Sequence, residues 1–453
     1  MFEGNAMWLE ALRKNTCRIA RAVCVAHLGL MTIAVAQAGE DANLPAKHVK
    51  AGFSLAQASR LEAQATVQSI LAGGDVALYW TNHVARSMPT AVIPAGQPAR
   101  QLEVSAVSEI GAVRVSSALG ELSLNEFLYD ARSYAQGFVV VHKGRIIFEE
   151  YPGMRPQDNH LWASNAKPLA SLLIDLLIED GDLDQNQTFG HYVPEFRGTA
   201  WEGLRIIDIL DMTPGLDTAE DGQTRKDPNS IAIRTFLSEF NQPYSKVGRV
   251  ESVKEVLKDA RKIAEPGESF DYGSPVTQAL VILTEVITQK KWSDYFDDRV
   301  WSKMSAEAGL QVHLAPDGTA AVHGLVSSRL RDMARFGMLY TPSWDKVAVE
   351  RIVTPAVIER IRNGVRDHKF FMAGYDGPVF TERLGEKIAG SSRQWDAVFD
   401  DGDFFKSGLM GQGLYVSPDR DLVIAFFSTS RNPGPIQRYL RPLAKSISVD
   451  GRL

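Results

Sequence analysis

Two strand-pair signals far apart in the chain constrain the fold more than any other feature. Residues 137–151 (GFVVVHKGRIIFEEY) carry two β-rich runs around His142-Lys143-Gly144-Arg145, the pattern of a hairpin. Residues 413–417 (GLYVS) and 421–428 (DLVIAFFS) repeat it around Pro418-Asp419-Arg420, where proline presets the backbone for a turn. Between them the signals are helical. Residues 168–178 (PLASLLIDLLI) are apolar on nearly every side, as in a helix buried in a large core, and Gly181 stops the run. A second helical stretch over 204–212 ends at Thr213-Pro214-Gly215, and Ser274-Pro275 opens a third over 276–287. The expected fold is α/β in the α+β sense: an antiparallel sheet flanked by helices and built from both chain ends, with a mostly α-helical domain inserted and an active site at the junction. The expected boundaries are an N-terminal arm over 39–125, the sheet domain over 126–165 and 325–453, and the helical domain over 166–324. Within the arm, residues 80–90 read as an extended segment rather than a core element.

The first forty residues are of another kind. Arg13, Lys14, Arg18 and Arg21 precede an apolar stretch over 22–35 that ends in Ala36-Gln37-Ala38, the layout of a secretory signal peptide. The apolar run is shorter than the roughly 20 residues that span a bilayer. Cleavage is expected after Ala38, with Met7 an alternative start, giving a periplasmic or secreted protein with no stable membrane span. Cys17 and Cys24 are the two cysteines of the chain, and both lie in this leader. The expected mature protein therefore has no disulfide and no thiol chemistry.

A net charge of -6 with acidic and basic residues interspersed argues against a nucleic-acid partner, which needs clustered Lys and Arg on one face. The nine histidines show no His-x-x-x-His spacing, so neither a metal site nor a cofactor is expected. Asp400-Asp401 and Asp403 read as a solvated turn rather than a carboxylate pair.

The chemistry concentrates in three short motifs. Ser164-Asn165-Ala166-Lys167 sets a hydroxyl and an amine three residues apart where the buried helix begins, so that they share one face. Serine needs a base, and a desolvated lysine with a lowered pKa is one. Tyr272-Gly273-Ser274 stands just ahead of another helix; a phenol beside lysines can ionise or relay a proton. Lys406-Ser407-Gly408 precedes the late hairpin. There a cation on a sheet edge can attract a substrate carboxylate, and Gly408 lets a substrate lie against the strand. Each motif alone is common. Their joint occurrence, in this order and in these settings, carries the reading.

These residues resemble the serine β-lactamase and penicillin-binding protein superfamily, whose motifs are Ser-x-x-Lys, a Tyr or Ser with a polar residue two later, and Lys-Thr-Gly or a variant. The branch most similar is that of class C β-lactamases, family VIII esterases and 6-aminohexanoate-dimer hydrolases. Residues 162–167 (WASNAK), 207–215 (IDILDMTPG), 266–274 (PGESFDYGS), 328–337 (SRLRDMARFG) and 411–422 support it, over roughly residues 80–445. The short stretch Met88-Pro89-Thr90-Ala91 is similar to the aminohexanoate-oligomer branch. The resemblance implies that Ser164 is acylated, that Lys167 and Tyr272 move its proton, and that Ser274, Lys406, Ser407 and Gly408 orient the substrate. It also implies an oxyanion hole made by the backbone N–H groups of Ser164 and Leu409, with water hydrolysing the acyl-enzyme.

Two departures bear on the substrate. Ser274 stands where class C β-lactamases usually have Asn, and Ser407 where they usually have Thr. Both shift the expectation from β-lactams toward a small amide or carboxylic ester, such as a 6-aminohexanoate-oligomer-like amide. A β-lactamase or D-amino-acid peptidase is the alternative within enzymes, and a non-catalytic penicillin- or peptidoglycan-binding sensor the alternative outside them. The pocket walls are expected from loops over roughly 215–265, and the oligomeric state is left open.

Overall fold

A computed structural model describes residues 47–447. The expected signal peptide over 1–38 lies outside the described residues.

The first hairpin forms as its sequence dictates. Lys143 and Gly144 both take positive φ, 49° and 74°, which matches the turn to the right-handed twist of the strands. Strands Ala135–His142 and Arg145–Glu150 pair antiparallel around it. The second hairpin pairs Gln412–Ser417 with Leu422–Ser428. Leu422–Ser428 then lies directly against Ala135–His142, with Leu422 opposite His142 and Phe426 opposite Phe138. One eight-stranded sheet results, running Gly390–Ser392, Trp395–Val398, Phe404–Gly408, Gln412–Ser417, Leu422–Ser428, Ala135–His142, Arg145–Glu150 and Glu103–Val104. The sheet is antiparallel except at its last edge, where Glu103–Val104 runs parallel to Arg145–Glu150. Its central strands are buried on both faces, which explains why their sequences are continuous apolar runs rather than alternating ones. Helix Leu330–Met338 packs on one face.

The helical stretches form where their signals lie. Helix Lys167–Asp180 is buried from Lys167 to Leu177 and ends at Gly181. It packs against helix Ser274–Thr288. Pro168 sits in the first turn, where its missing N–H removes no intrahelical bond. The stretch over 204–212 yields a shorter helix, Ile206–Leu210, because Met212 turns to a φ of 55°.

A second, four-stranded sheet runs Thr90–Ile93, Leu310–His313, Val326–Ser328 and His160–Leu161. Its last strand leads straight into the turn that carries Ser164. The Trp162 N–H donates to the Val326 carbonyl at 2.8 Å, and the Trp162 indole to Ser328 Oγ at 2.8 Å. Buried His313 bridges Thr90 and Ser327 through its two ring nitrogens, each at 2.9 Å; burial pushes its pKa down to about 3, so the ring is neutral.

Residues 80–90 are not an extended arm. Helix Asp75–Trp80 is followed by the 3-10 turn Val84–Arg86, Trp80 and Met88 are buried, and the Thr81 carbonyl accepts from the Leu161 N–H at 2.8 Å. Such short helices are held by the surface they pack on rather than by propensity, so their own sequence does not announce them. Asp403 is likewise no solvated residue. It is buried and accepts from Tyr415, Arg420 and Arg441, while Asp401 pairs with the same two arginines.

Candidate active site

Ser164 lies in the 3-10 turn Ala163–Ala166, which runs directly into helix Lys167–Asp180. Ala163 holds the left-handed φ of 47°, a conformation that costs a non-glycine residue about 1–3 kcal/mol. The bend turns the chain from strand His160–Leu161 into the helix and leaves the Ser164 hydroxyl at the wall of a cavity of about 340 Å³. Lys167, one turn on, reaches Ser164 Oγ with Nζ at 3.5 Å. The same ammonium nitrogen donates to Ser274 Oγ at 2.9 Å and to the His323 carbonyl at 2.8 Å. His323 is held in turn by Glu239, 2.8 Å from its Nε2.

Lys167 is fully buried. Desolvation lowers its pKa to about 7, with Glu220 pulling upward and Lys406 adding to the fall. Near neutrality, therefore, an amine close to the Ser164 hydroxyl has a free lone pair. Glu220 is itself buried, which pushes its pKa up, but Lys167 and Arg225 outweigh burial and keep it a carboxylate. It accepts the Ser274 N–H at the start of helix Ser274–Thr288, and its own N–H donates to the Tyr272 carbonyl at 2.7 Å.

Tyr272 stands between the two lysines. Its ring centroid is 5.0 Å from Lys167 Nζ and 4.6 Å from Lys406 Nζ, and Lys406 lies 3.4 Å from its hydroxyl. Burial raises its pKa well above the ordinary value, and Asp396 and Glu220 raise it further, outweighing the hydrogen bond with Ser164. The phenol stays neutral.

Lys406 differs most from expectation. It is fully buried and forms an ion pair with Asp396, whose other oxygen accepts from the Ser407 hydroxyl at 2.5 Å and the Ser407 N–H at 2.9 Å. Lys406 is not among the residues that line the cavity. Gly408 explains the closeness of this strand to the turn that carries Ser164, since a Cβ there would lie 2.8 Å from the Trp162 carbonyl and 2.8 Å from Asn165 Nδ2. Ser164, Tyr272, Ser274, Ser407, Gly408 and Leu409 all line the one cavity.

Sequence reasoning missed Glu220, Asp396 and much of the cavity wall. Glu220, Arg225, Phe236 and Phe240 do come from residues 215–265, although Phe236 lies in helix Ile231–Glu239 rather than in a loop, and Val67, Ile70, Leu71, Trp80, Tyr375, Asp376 and Arg383 line the cavity as well. Asp396 left a signal. It is an acid inside an apolar strand, in the register that faces Lys406 across the pairs Ala397↔Phe405 and Val398↔Phe404. Among the described residues no group of three or more His, Cys, Asp or Glu side chains is arranged to hold a metal ion.

The family profile described as Beta-lactamase matches residues 130–448. A 6-aminohexanoate-dimer hydrolase of Paenarthrobacter ureafaciens is 26% identical over 370 residues, covering 80% of this chain and 87% of the relative. A solved structure from Bacillus anthracis, provisionally assigned as a 6-aminohexanoate-dimer hydrolase, superposes with a TM-score of 0.69 at 22% identity, covering 82% of this chain and 94% of its own. Another from Bacteroides dorei, provisionally assigned as a β-lactamase, reaches 0.51 at 18% identity over 71% of this chain and 96% of its own.

Proposed function

This chain belongs to the beta-lactamase family of serine hydrolases, and from that premise we propose that Ser164 is its nucleophile, acylated by a small ester or linear amide. The observation that carries the proposal is the Ser164–Lys167 pair at the cavity wall, 3.5 Å apart, with the amine's pKa lowered to about 7.

Neutral Lys167 takes the hydroxyl proton as Ser164 Oγ attacks the carbonyl carbon, and the carbonyl oxygen becomes an oxyanion. The N–H groups of Ser164 and Leu409 receive it; each such donor is worth about 3–4 kcal/mol in the transition state. Collapse of the tetrahedral intermediate breaks the bond to the leaving oxygen or nitrogen, which takes a proton relayed by the neutral Tyr272 hydroxyl from Lys167. Water then enters, gives its proton back along the same path, and releases the acid and free Ser164. Glu220 and the Glu239–His323 pair position Lys167 and Ser274.

The pairing of Lys406 with Asp396 favours esters and linear amides over β-lactams, because the cation that would attract a carboxylate beside the scissile bond is already neutralised. The name of the Paenarthrobacter relative points to a linear amide of 6-aminohexanoate as one substrate to try. Fluorophosphonate labelling followed by peptide mass mapping tests the nucleophile. An adduct on Ser164 that vanishes in Ser164→Ala supports it; labelling of another residue, or none in folded protein, overturns it. We further propose that the leader directs export, and a mature N-terminus at Gly39 is the expected mass-spectrometric result. Among the described residues no helix is long and apolar enough to cross a membrane.

A further inference from the structure

The cavity carries positive charge at a place the mechanism does not use. Lys406, the cation nearest the nucleophile on its strand, is withdrawn into an ion pair with Asp396, both side chains being at most 1% exposed. Arg225 and Arg383 line the same cavity as Ser164. They come from separate elements, Arg225 from the 3-10 turn Thr224–Lys226 and Arg383 from helix Asp376–Leu384. Arg225 reaches Glu220 only at 3.6 Å, and that carboxylate already accepts the Ser274 N–H and faces Lys167. Arg383 forms an ion pair with no carboxylate among the described residues. Asp376 attracts both guanidinium groups through space without bonding to either, and the two arginines repel each other. With Arg431 also at the wall, basic side chains outnumber acidic ones there. Two guanidinium groups that line one cavity, one paired at 3.6 Å and the other in no ion pair among the described residues, make a site for a planar anion. Val67, Ile70, Leu71 and Trp80 line the same cavity and give it apolar surface that a methylene chain of a substrate can cover.

We infer that Arg225 and Arg383 form a subsite for a substrate carboxylate remote from the scissile carbonyl, so that the preferred esters and amides carry an apolar chain ending in a carboxylate. The inference rests on Ser164 as the nucleophile. Charge recognition is thereby moved from the strand that carries Lys406 to the turn Thr224–Lys226 and helix Asp376–Leu384.

The test compares two substrates of one length: the p-nitrophenyl monoester of adipic acid, with a free carboxylate, and the same compound with that carboxylate capped as a methyl ester. Ser164 attacks the aryl ester carbonyl in both, p-nitrophenolate leaves, and only the tail differs. The wild-type protein is expected to show a kcat/KM about tenfold higher for the free acid, as fits one charge-assisted contact, and added salt should erode this preference. In Arg225→Gln/Arg383→Gln the ratio of the two kcat/KM values should fall to about one, and the double Lys variant should restore part of it. A wild-type preference for the capped ester, or a ratio that the double variant leaves unchanged, overturns the inference. The wild-type ratio decides by itself if the double variant does not fold. Turnover of the capped ester with Ser164 labelled but no tail preference removes the subsite alone, whereas absence of both turnover and label removes the nucleophile assignment beneath it.

Discussion

Lys406 and Asp396 face each other across neighbouring antiparallel strands as a closed ion pair, hidden from water beside the Tyr272 ring. Removing one partner of a buried pair leaves the other charge without compensation, at a cost of about 3–5 kcal/mol. Asp396→Ala also strands both Ser407 donors. The expected result is an unfolding free energy, measured by urea titration, lowered by that amount, while the double substitution Asp396→Asn/Lys406→Met, which removes both charges, is much less harmful. Equal losses in the two proteins would show that the pair does not act as a unit.

Lys167 sets the pH dependence. Its pKa is lowered by burial to about 7, so the amine is protonated below that pH and free above it. Because the free amine is the form that accepts the serine proton, kcat/KM for a neutral ester should rise about tenfold per pH unit below the pKa and level off above about pH 8. Lys167→Met should abolish this limb and lower kcat by about 10²–10⁴-fold. A limb centred near pH 10 would mean that the amine is not desolvated in solution.

Tyr272→Phe separates packing from proton transfer. The ring keeps its edge contacts with Phe270 and Phe380, at 6.5 and 6.2 Å between centroids, so thermal stability should be nearly unchanged. Loss of the hydroxyl should lower kcat by about 10²–10⁴-fold with a smaller effect on KM. Equal losses in kcat and in thermal midpoint would place the phenol in the scaffold.

Gly408→Ala should act through geometry. The added methyl would press on the Trp162 carbonyl and the Asn165 amide, forcing the strand end away from Ser164. A displacement of 1 Å at a reacting centre costs about 10²-fold, so a fall of that order in kcat with folding retained is expected from steady-state kinetics and circular dichroism.

What the sequence made legible has a common physical basis. Ser164 and Lys167 could be paired because one helical turn fixes their distance, and both hairpins could be drawn because turn chemistry is local. The joining of the two ends into one sheet followed from the order of the signals, a strand pair early, helices between and strands late. Asp396 and Glu220 were not found because their importance arises from partners brought close by the tertiary fold. Asp403 sits among Gly and Asp residues that mark turns, yet Arg420 and Arg441 draw it inside. Trp80 escaped for the opposite reason: its polar neighbours Thr81 and Asn82 hid a short helix whose indole packs on Phe240 at 5.3 Å between ring centroids. In each case a local cue was outweighed by a contact that only the folded chain provides.

Strand Leu422–Ser428 is the seam between the chain's early and late β segments, bonded to Gln412–Ser417 on one side and Ala135–His142 on the other. On the ribosome, the early hairpin emerges with one edge open and apolar long before its neighbour exists, and such an edge invites pairing with other chains. The helical middle must be accommodated while that edge waits. The strand end carrying Gly408 and Leu409 also comes late, so the nucleophile turn is synthesised well ahead of the surface that completes it. Hydrolytic competence thus arrives only with the last strands, and a nascent chain stalled before them carries the serine without the means to use it.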